Sequence, residues 1–194
     1  MYDYFNGKLI FKAPTHVILE VGGIGYHVHI SLTTYSLIKD QESCKLFISF
    51  QVREDAHTLF GFATEGERHL FNHLISVSGI GPNTARMMLS SITPEEIQAA
   101  IINGQVAVIQ KIKGIGPKTA QRVILELQDK LKKQGDHALL PLPFAVQSIP
   151  EEALSALVML GFPKAQVEKT LAAIVKIEGS YTVEELIKAA LKKL

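Results

Sequence analysis

The sequence predicts an α+β chain of several domains: a small β-barrel at the N-terminus, an all-α middle, and a separate helical bundle at the C-terminus. Three observations carry this. Residues 4–62 are rich in short β-type runs separated by turns. From Glu65 onward the apolar residues recur at helical spacing instead. Residues 135–149, GDHALLPLPFAVQSI, hold two prolines and neither period, so they read as a linker.

In order along the chain, HVILEVGGIGYHVHIS (16–31) is two β-rich runs joined by a glycine-rich turn, a hairpin signal. CKLFISFQV (44–52) and HTLFGFA (57–63) add strands, with REDA between them. Several short strands with tight turns and no long helical pattern suggest an OB-like barrel of five or six strands over residues 1–64. Leu70, Phe71, Leu74 and Ile75 then mark one helix face. Thr93-Pro94-Glu95-Glu96 reads as an N-cap, a first-turn proline and a capping-box glutamate. Pro117 opens a long helix that runs to about Gln134, with Gly135 as its stop. Residues 150–194 resume as three helices, broken at Gly161-Phe162-Pro163 and at Gly179, with a Thr182/Glu185 capping box on the third.

Composition narrows the function. The 194 residues are 47% apolar, enough to bury a core. No apolar run approaches the roughly 18 residues that span a membrane. MYDYFNGKLI does not read as a signal peptide, so the expected location is cytoplasmic. Cys44 is the only cysteine, which excludes internal disulfides and Cys-based zinc or iron–sulfur clusters within one chain. Net charge is +1, but its distribution is uneven. Residues 65–134 hold nine Lys and Arg against six Asp and Glu, a net of +3, and each flanking region is −1. The basic excess is where a phosphate-binding face belongs.

That region writes one heptapeptide twice. Residues 79–85 are GIGPNTA and residues 114–120 are GIGPKTA, differing only at Asn83 and Lys118. Each copy joins an apolar helix to a second helix through a Gly-x-Gly turn and a proline. Gly79, Gly81, Gly114 and Gly116 allow a tight elbow, and the proline suits the first turn of the helix that follows. Bare amides and the positive end of that helix then face one spot, which makes an anion site. Thr84 and Thr119 can add hydroxyls; Lys111, Lys113, Lys118 and Arg122 surround the second elbow, and Arg86 follows the first. This is the helix-hairpin-helix motif in tandem, whose chemistry is a grip on the sugar–phosphate backbone without base readout. It is not a nucleotide loop, because no Gly-Lys-Ser/Thr follows a four-residue spacer. The pattern assigns no catalytic group, cofactor or metal. His69 and His73 lack the glutamate of a zinc-protease helix, and His27 and His29 share a strand face without an acidic or cysteine partner.

Over its whole length the sequence resembles the RuvA family, the Holliday-junction-binding subunits of the bacterial branch-migration complex. The resemblance rests on LEVGGIGYHVHI (19–30), VREDAHTLFGF (52–62), the two elbows and ALVMLGF (156–162), in the family's order. It implies a homotetramer on a four-way DNA junction, with one tetramer or two face-to-face tetramers left open. It implies an acidic pin at Glu54 and Asp55, and a C-terminal module for the ATP-driven motor RuvB. It also implies assembly with the resolvase RuvC, in recombination and DNA repair. Leu157, Leu160, Phe162 and Leu191 are the candidates for the docking patch; the competing reading is that they fill the bundle's core. Asn83 departs from the family's usual lysine, and Tyr4 and Asn6 stand where an arginine is common. The domains expected are thus 1–64, 65–134, a linker at 135–149, and 150–194.

The rival reading is a DNA glycosylase/lyase with Lys118 as Schiff-base nucleophile and Asp136 eighteen residues later. Against it stand the missing cluster cysteines, the absence of tryptophan and of an aromatic base pocket, and the position of Asp136 after the helix-ending Gly135. A purely structural scaffold is the third class, distinguished by its indifference to salt-dependent DNA binding.

Overall fold

The computed structural model describes residues 2–134, 149–175 and 181–194. They divide into two compact units, residues 1–140 and 141–194.

The first unit begins with a closed five-stranded barrel. Strands β1 (Tyr4–Ala13), β2 (His16–Val21), β3 (Ile24–Ile30), β4 (Ser43–Val52) and β5 (His57–Phe62) pair in the order β1-β2-β3-β5-β4, with β1 closing on β4. All pairs are antiparallel except β3 with β5, the OB-type arrangement. The β2–β3 turn is Gly22-Gly23 with φ of 60° and 82°. Two positive angles in a two-residue loop give the type I′ turn that matches strand twist. Alternation along the strands puts Val17, Leu19, Val28, Ile30, Leu46 and Ile48 inside. Burial in this core pushes the Cys44 thiol up to about 11, which removes it as a nucleophile.

β1 is the strand that closes the barrel, and it does so by changing partner. Residues 4–8 pair with β4 and residues 8–13 with β2. The change of partner falls at Lys8 and the register with β2 shifts between Leu9 and Phe11; just before them, a Cβ on Gly7 would collide with the backbone carbonyl of Glu20. Gly7→Ala is therefore expected to destabilise the first unit by about 2 kcal/mol or more, read as a drop in the midpoint of urea unfolding. An unchanged midpoint would show that the approach of Gly7 to the Glu20 carbonyl can relax around a methyl group.

The sequence reading of 4–62 as strands misses one element. Ser31 caps a short helix, α1 (Leu32–Ile38), by accepting the Thr34 amide at 2.9 Å. Thr33, Thr34 and Tyr35 favour strands, but a local side-chain cap and burial of Ile38 in the barrel core override that preference.

Five helices complete the unit: α2 (Glu65–Ile75), α3 (Pro82–Ser91), α4 (Pro94–Ile102), α5 (Val106–Gln110) and α6 (Pro117–Gln134). The Thr93/Glu96 capping box forms as expected. Their shared core runs from Leu70 to Leu131 and takes in Phe60 and Phe62 of β5, so barrel and helices are welded along β5. A second weld is polar. Glu67 of α2 is 1% exposed and accepts hydrogen bonds from the hydroxyls of Ser31 and Thr34, the latter at 2.7 Å. Both hydroxyls in turn accept backbone amides, Ser31 from Thr34 and Thr34 from Ala63.

The second unit holds α7 (Ile149–Met159), α8 (Lys164–Val175) and α9 (Val183–Leu191) around Ala153, Leu157, Val167, Leu171, Ile174, Leu186 and Ala190. Gly161, at φ 99°, follows α7, and the Thr182/Glu185 capping box opens α9. Gly135, Asp136, most of the expected linker, and Gly179 lie outside the described residues. Among the described residues no helix is long and apolar enough to cross a membrane.

Candidate nucleic-acid interface

The two heptapeptides fold alike. In the first, the Ile80 amide donates to the Val77 carbonyl at 3.0 Å; in the second, the Ile115 amide donates to the Ile112 carbonyl at 3.1 Å. These four apolar side chains are buried and pin each turn to the core. Gly79 and Gly114 take φ of 95° and 87°, a region that a side chain resists. The helix that follows starts with the same bond in both copies, Ala85 amide to Gly81 carbonyl and Ala120 amide to Gly116 carbonyl, each 2.9 Å.

The amides ahead of that first bond have no partner inside the helix. Gly81 is the N-cap of α3 and offers no side chain to satisfy them. The elbows are not buried: Gly79, Gly114 and Gly116 are exposed, and Gly81, Thr84 and Thr119 are half-buried beside them. Each elbow is thus an open patch of unpaired N–H groups at the positive end of a helix dipole, which is what a phosphate needs. The Met87 methyl of α3 would lie 3.2 Å from a Cβ on Gly114, so the helix leaving the first elbow abuts the second.

The side chains around the elbows differ more than the backbones. Lys111, Lys113 and Lys118 are exposed around the second elbow, and no carboxylate among the described residues pairs with them. Arg122 is also exposed, with its Nε 3.0 Å from Glu126 Oε1, one turn further along α6. An exposed i,i+4 pair of this kind holds by only a few tenths of a kcal/mol and yields easily to a phosphate. Arg86 is placed otherwise than its sequence position suggests. It turns toward the barrel, donates to the Thr15 carbonyl at 2.8 Å and sits beside His29. Burial and the nearby Arg86, His27 and His16 hold the His29 imidazole below its usual range.

Glu54 and Asp55 form the exposed tip of the β4–β5 hairpin, closed by the Arg53 amide on the Ala56 carbonyl at 2.9 Å. No cation among the described residues pairs with either acid. Sequence reasoning gave Arg53 no part in the site, yet its guanidinium stands beside the first elbow, 4.0 Å from where a Cβ on Gly81 would be. The missing signal was spatial: Arg53 and Gly81 lie on different elements.

In the C-terminal unit, Leu157 is fully buried and Phe162 packs half-buried against the same core. Leu160 is 62% exposed and Leu191 44% exposed, and Met159, which sequence reasoning passed over, is exposed as well. Lys118, the candidate lyase nucleophile, stands in solvent, whereas a Schiff-base lysine needs an enclosed amine. Asp136 lies outside the described residues.

Comparison with known proteins agrees with this geometry. Residues 1–61 match the RuvA N-terminal domain, residues 71–129 a SAM-like helix-hairpin-helix tandem, and residues 149–194 the RuvA C-terminal domain. The chain is 52% identical over 197 residues to a protein of Christiangramia forsetii, with both chains covered in full. It is 50% identical over 197 residues to one of Cytophaga hutchinsonii, covering 99% of each, and 49% identical over 194 residues to one of Amoebophilus asiaticus, covering 99% of this chain and all of that one. All three relatives carry the name Holliday junction branch migration complex subunit RuvA. A closed barrel welded to two matched glycine elbows, followed by a separate three-helix unit, is accompanied by full-length identity of about one half, and the chain belongs to the RuvA family.

Proposed function

We propose that this chain binds four-way DNA junctions through their sugar–phosphate backbone, acts as a homotetramer, and serves as the non-catalytic subunit that recruits the ATPase RuvB for branch migration. The observation that carries the reading is the pair of matched, exposed elbows whose first-turn amides are open to an anion. Because those amides read phosphate and not bases, binding is indifferent to sequence and selective for shape. A four-fold assembly gives each junction arm an equivalent set of contacts. The chain itself makes and breaks no bond; it holds the junction open while the motor draws the arms through.

Glu54 and Asp55 fit the acidic pin within this reading. Four hairpin tips at the centre of a tetramer would bring about eight carboxylates near the crossover, where repulsion from phosphate keeps the strands apart. The double substitution Glu54→Gln with Asp55→Asn is expected to keep or tighten junction binding while slowing branch migration with the motor. Loss of binding with the fold intact would contradict the pin assignment. In the C-terminal unit, Leu160 and Leu191 remain the exposed apolar candidates for contact with RuvB, whereas Leu157 serves the core.

The test of the reading is binding to a synthetic four-way junction and to linear duplex of equal length across a salt series. The expected result is a clear preference for the junction and a steep loss of affinity as salt rises. Lys118→Ala should weaken binding to every sequence alike and shallow the salt slope by about one phosphate per subunit. Equal affinity for junction and duplex would overturn the proposal.

A further inference from the structure

Aligning the chain with itself at the repeat spacing exposes an asymmetry. Lys111, Lys113 and Lys118 of the second elbow correspond to Ser76, Ser78 and Asn83 of the first, and Arg122 corresponds to Met87. Between Glu65 and Ser91 the only Lys or Arg residues are Arg68 and Arg86. Arg68 is held by Asp3 at 2.6 Å and Glu65 at 2.9 Å. Arg86 is turned onto the Thr15 carbonyl. The first elbow therefore has the backbone of an anion site and no free cation of its own.

Arg53 fills that gap from another element. Its Nη2 is the nearest atom to a Cβ built on Gly81, at 4.0 Å. Its side chain is exposed, and no carboxylate among the described residues lies within ion-pair distance, including its own neighbours Glu54 and Asp55. A guanidinium at the N-terminus of a helix faces the positive end of the dipole, an unfavourable placement when nothing anionic lies between them. A phosphate seated on the elbow removes that conflict, since the α3 amides and the Arg53 fork would then converge on it from two sides.

We infer that Arg53, reaching across from the β4–β5 hairpin, is the phosphate-binding cation of the first elbow and takes the part that Lys118 takes in the second. This rests on the proposed backbone-binding role of the elbows and extends it to a barrel residue. One hairpin then grips at its base and repels at its tip, so the position of the acidic tip is referenced to a bound phosphate.

The experiment is equilibrium binding of the full-length chain to a synthetic four-way junction over a salt series. Five proteins are compared: the parent, Arg53→Ala, Arg53→Lys, Arg53→Ala with Asn83→Lys, and Lys118→Ala. Arg53→Ala is expected to lose about tenfold in affinity, with a salt slope shallower by about one phosphate per subunit. Arg53→Lys should retain the slope. Asn83→Lys should restore affinity in the Arg53→Ala background to within about threefold of the parent, because it returns a cation to the same elbow. If Arg53→Ala matches the parent in affinity and slope while Lys118→Ala loses both, the inference is wrong and the elbow reading stands. If Arg53→Ala weakens binding but Asn83→Lys gives no recovery, Arg53 acts through the shape of the hairpin, and the inference is again wrong. If the parent shows no junction preference, both fall together.

Discussion

Gly81→Asp together with Gly116→Asp is expected to reduce junction binding by at least about a hundredfold while leaving the fold as stable as the parent. Neither glycine has a positive φ, so neither backbone is strained by a side chain. A Cβ on Gly116 meets nothing within 4 Å, and one on Gly81 meets only Arg53 at 4.0 Å. Aspartate at such a position is a favoured N-cap, accepting the first-turn amides and complementing the helix dipole. The substitution thus improves each helix start by satisfying the amides that the proposed DNA contact requires, and it places a carboxylate where the proposal seats a phosphate. A hydrogen bond to a charged group is worth about 1.5–3 kcal/mol, so closing two elbows gives losses of that order twice over, before repulsion is added. Thermal unfolding and junction binding on the same sample check the prediction. Retained binding would mean that the elbow amides do not hold the backbone; a lowered unfolding temperature would mean that the glycines serve packing.

The second large effect concerns stability. Glu67→Ala is expected to destabilise the first unit by about 2–4 kcal/mol, because it removes a buried carboxylate and leaves the Ser31 and Thr34 hydroxyls without acceptors in the core. At this chain length that corresponds to a fall in melting temperature of about 5–12 °C. Glu67→Gln keeps the volume and should cost less. The two variants also separate the charge from the shape. Burial raises the Glu67 carboxyl above its ordinary value, opposed by the hydrogen bonds from Ser31 and Thr34. A raised acid holds its proton longer folded than unfolded. Its contribution is therefore full below the unfolded value near 4.5 and is lost as pH rises through the folded value. Stability of the parent relative to Glu67→Gln should accordingly decline from about pH 4.5 upward. A difference that is flat or rises with pH would show that the hydroxyl bonds outweigh the burial.

How much of this was legible in the residues follows from distance along the chain. The elbows were readable because everything they need is local: two glycines, a proline and a buried isoleucine within seven residues. The Thr93/Glu96 and Thr182/Glu185 capping boxes were readable for the same reason. Helix α1 was not, since its Thr-Thr-Tyr run favours strands and only the Ser31 cap and the barrel core decide otherwise. The Glu67 cluster joins positions 36 and 33 residues apart, and the Arg86–Thr15 bond spans 71. No periodicity announces such pairs. Arg53 was hidden in the same way, as an ordinary charge beside a turn until the fold sets it against Gly81.

The central claim is that the DNA backbone lies on the open amides of both elbows. Hydrogen exchange of the full-length chain, read by mass spectrometry with and without a four-way junction, addresses those amides themselves. The account predicts strong slowing in the peptides that span 79–85 and 114–120, and none at the β2–β3 turn around Gly22-Gly23, which has glycines but no helix behind it. Unchanged exchange at both elbows, with slowing confined to other surfaces of the bound protein, would contradict it.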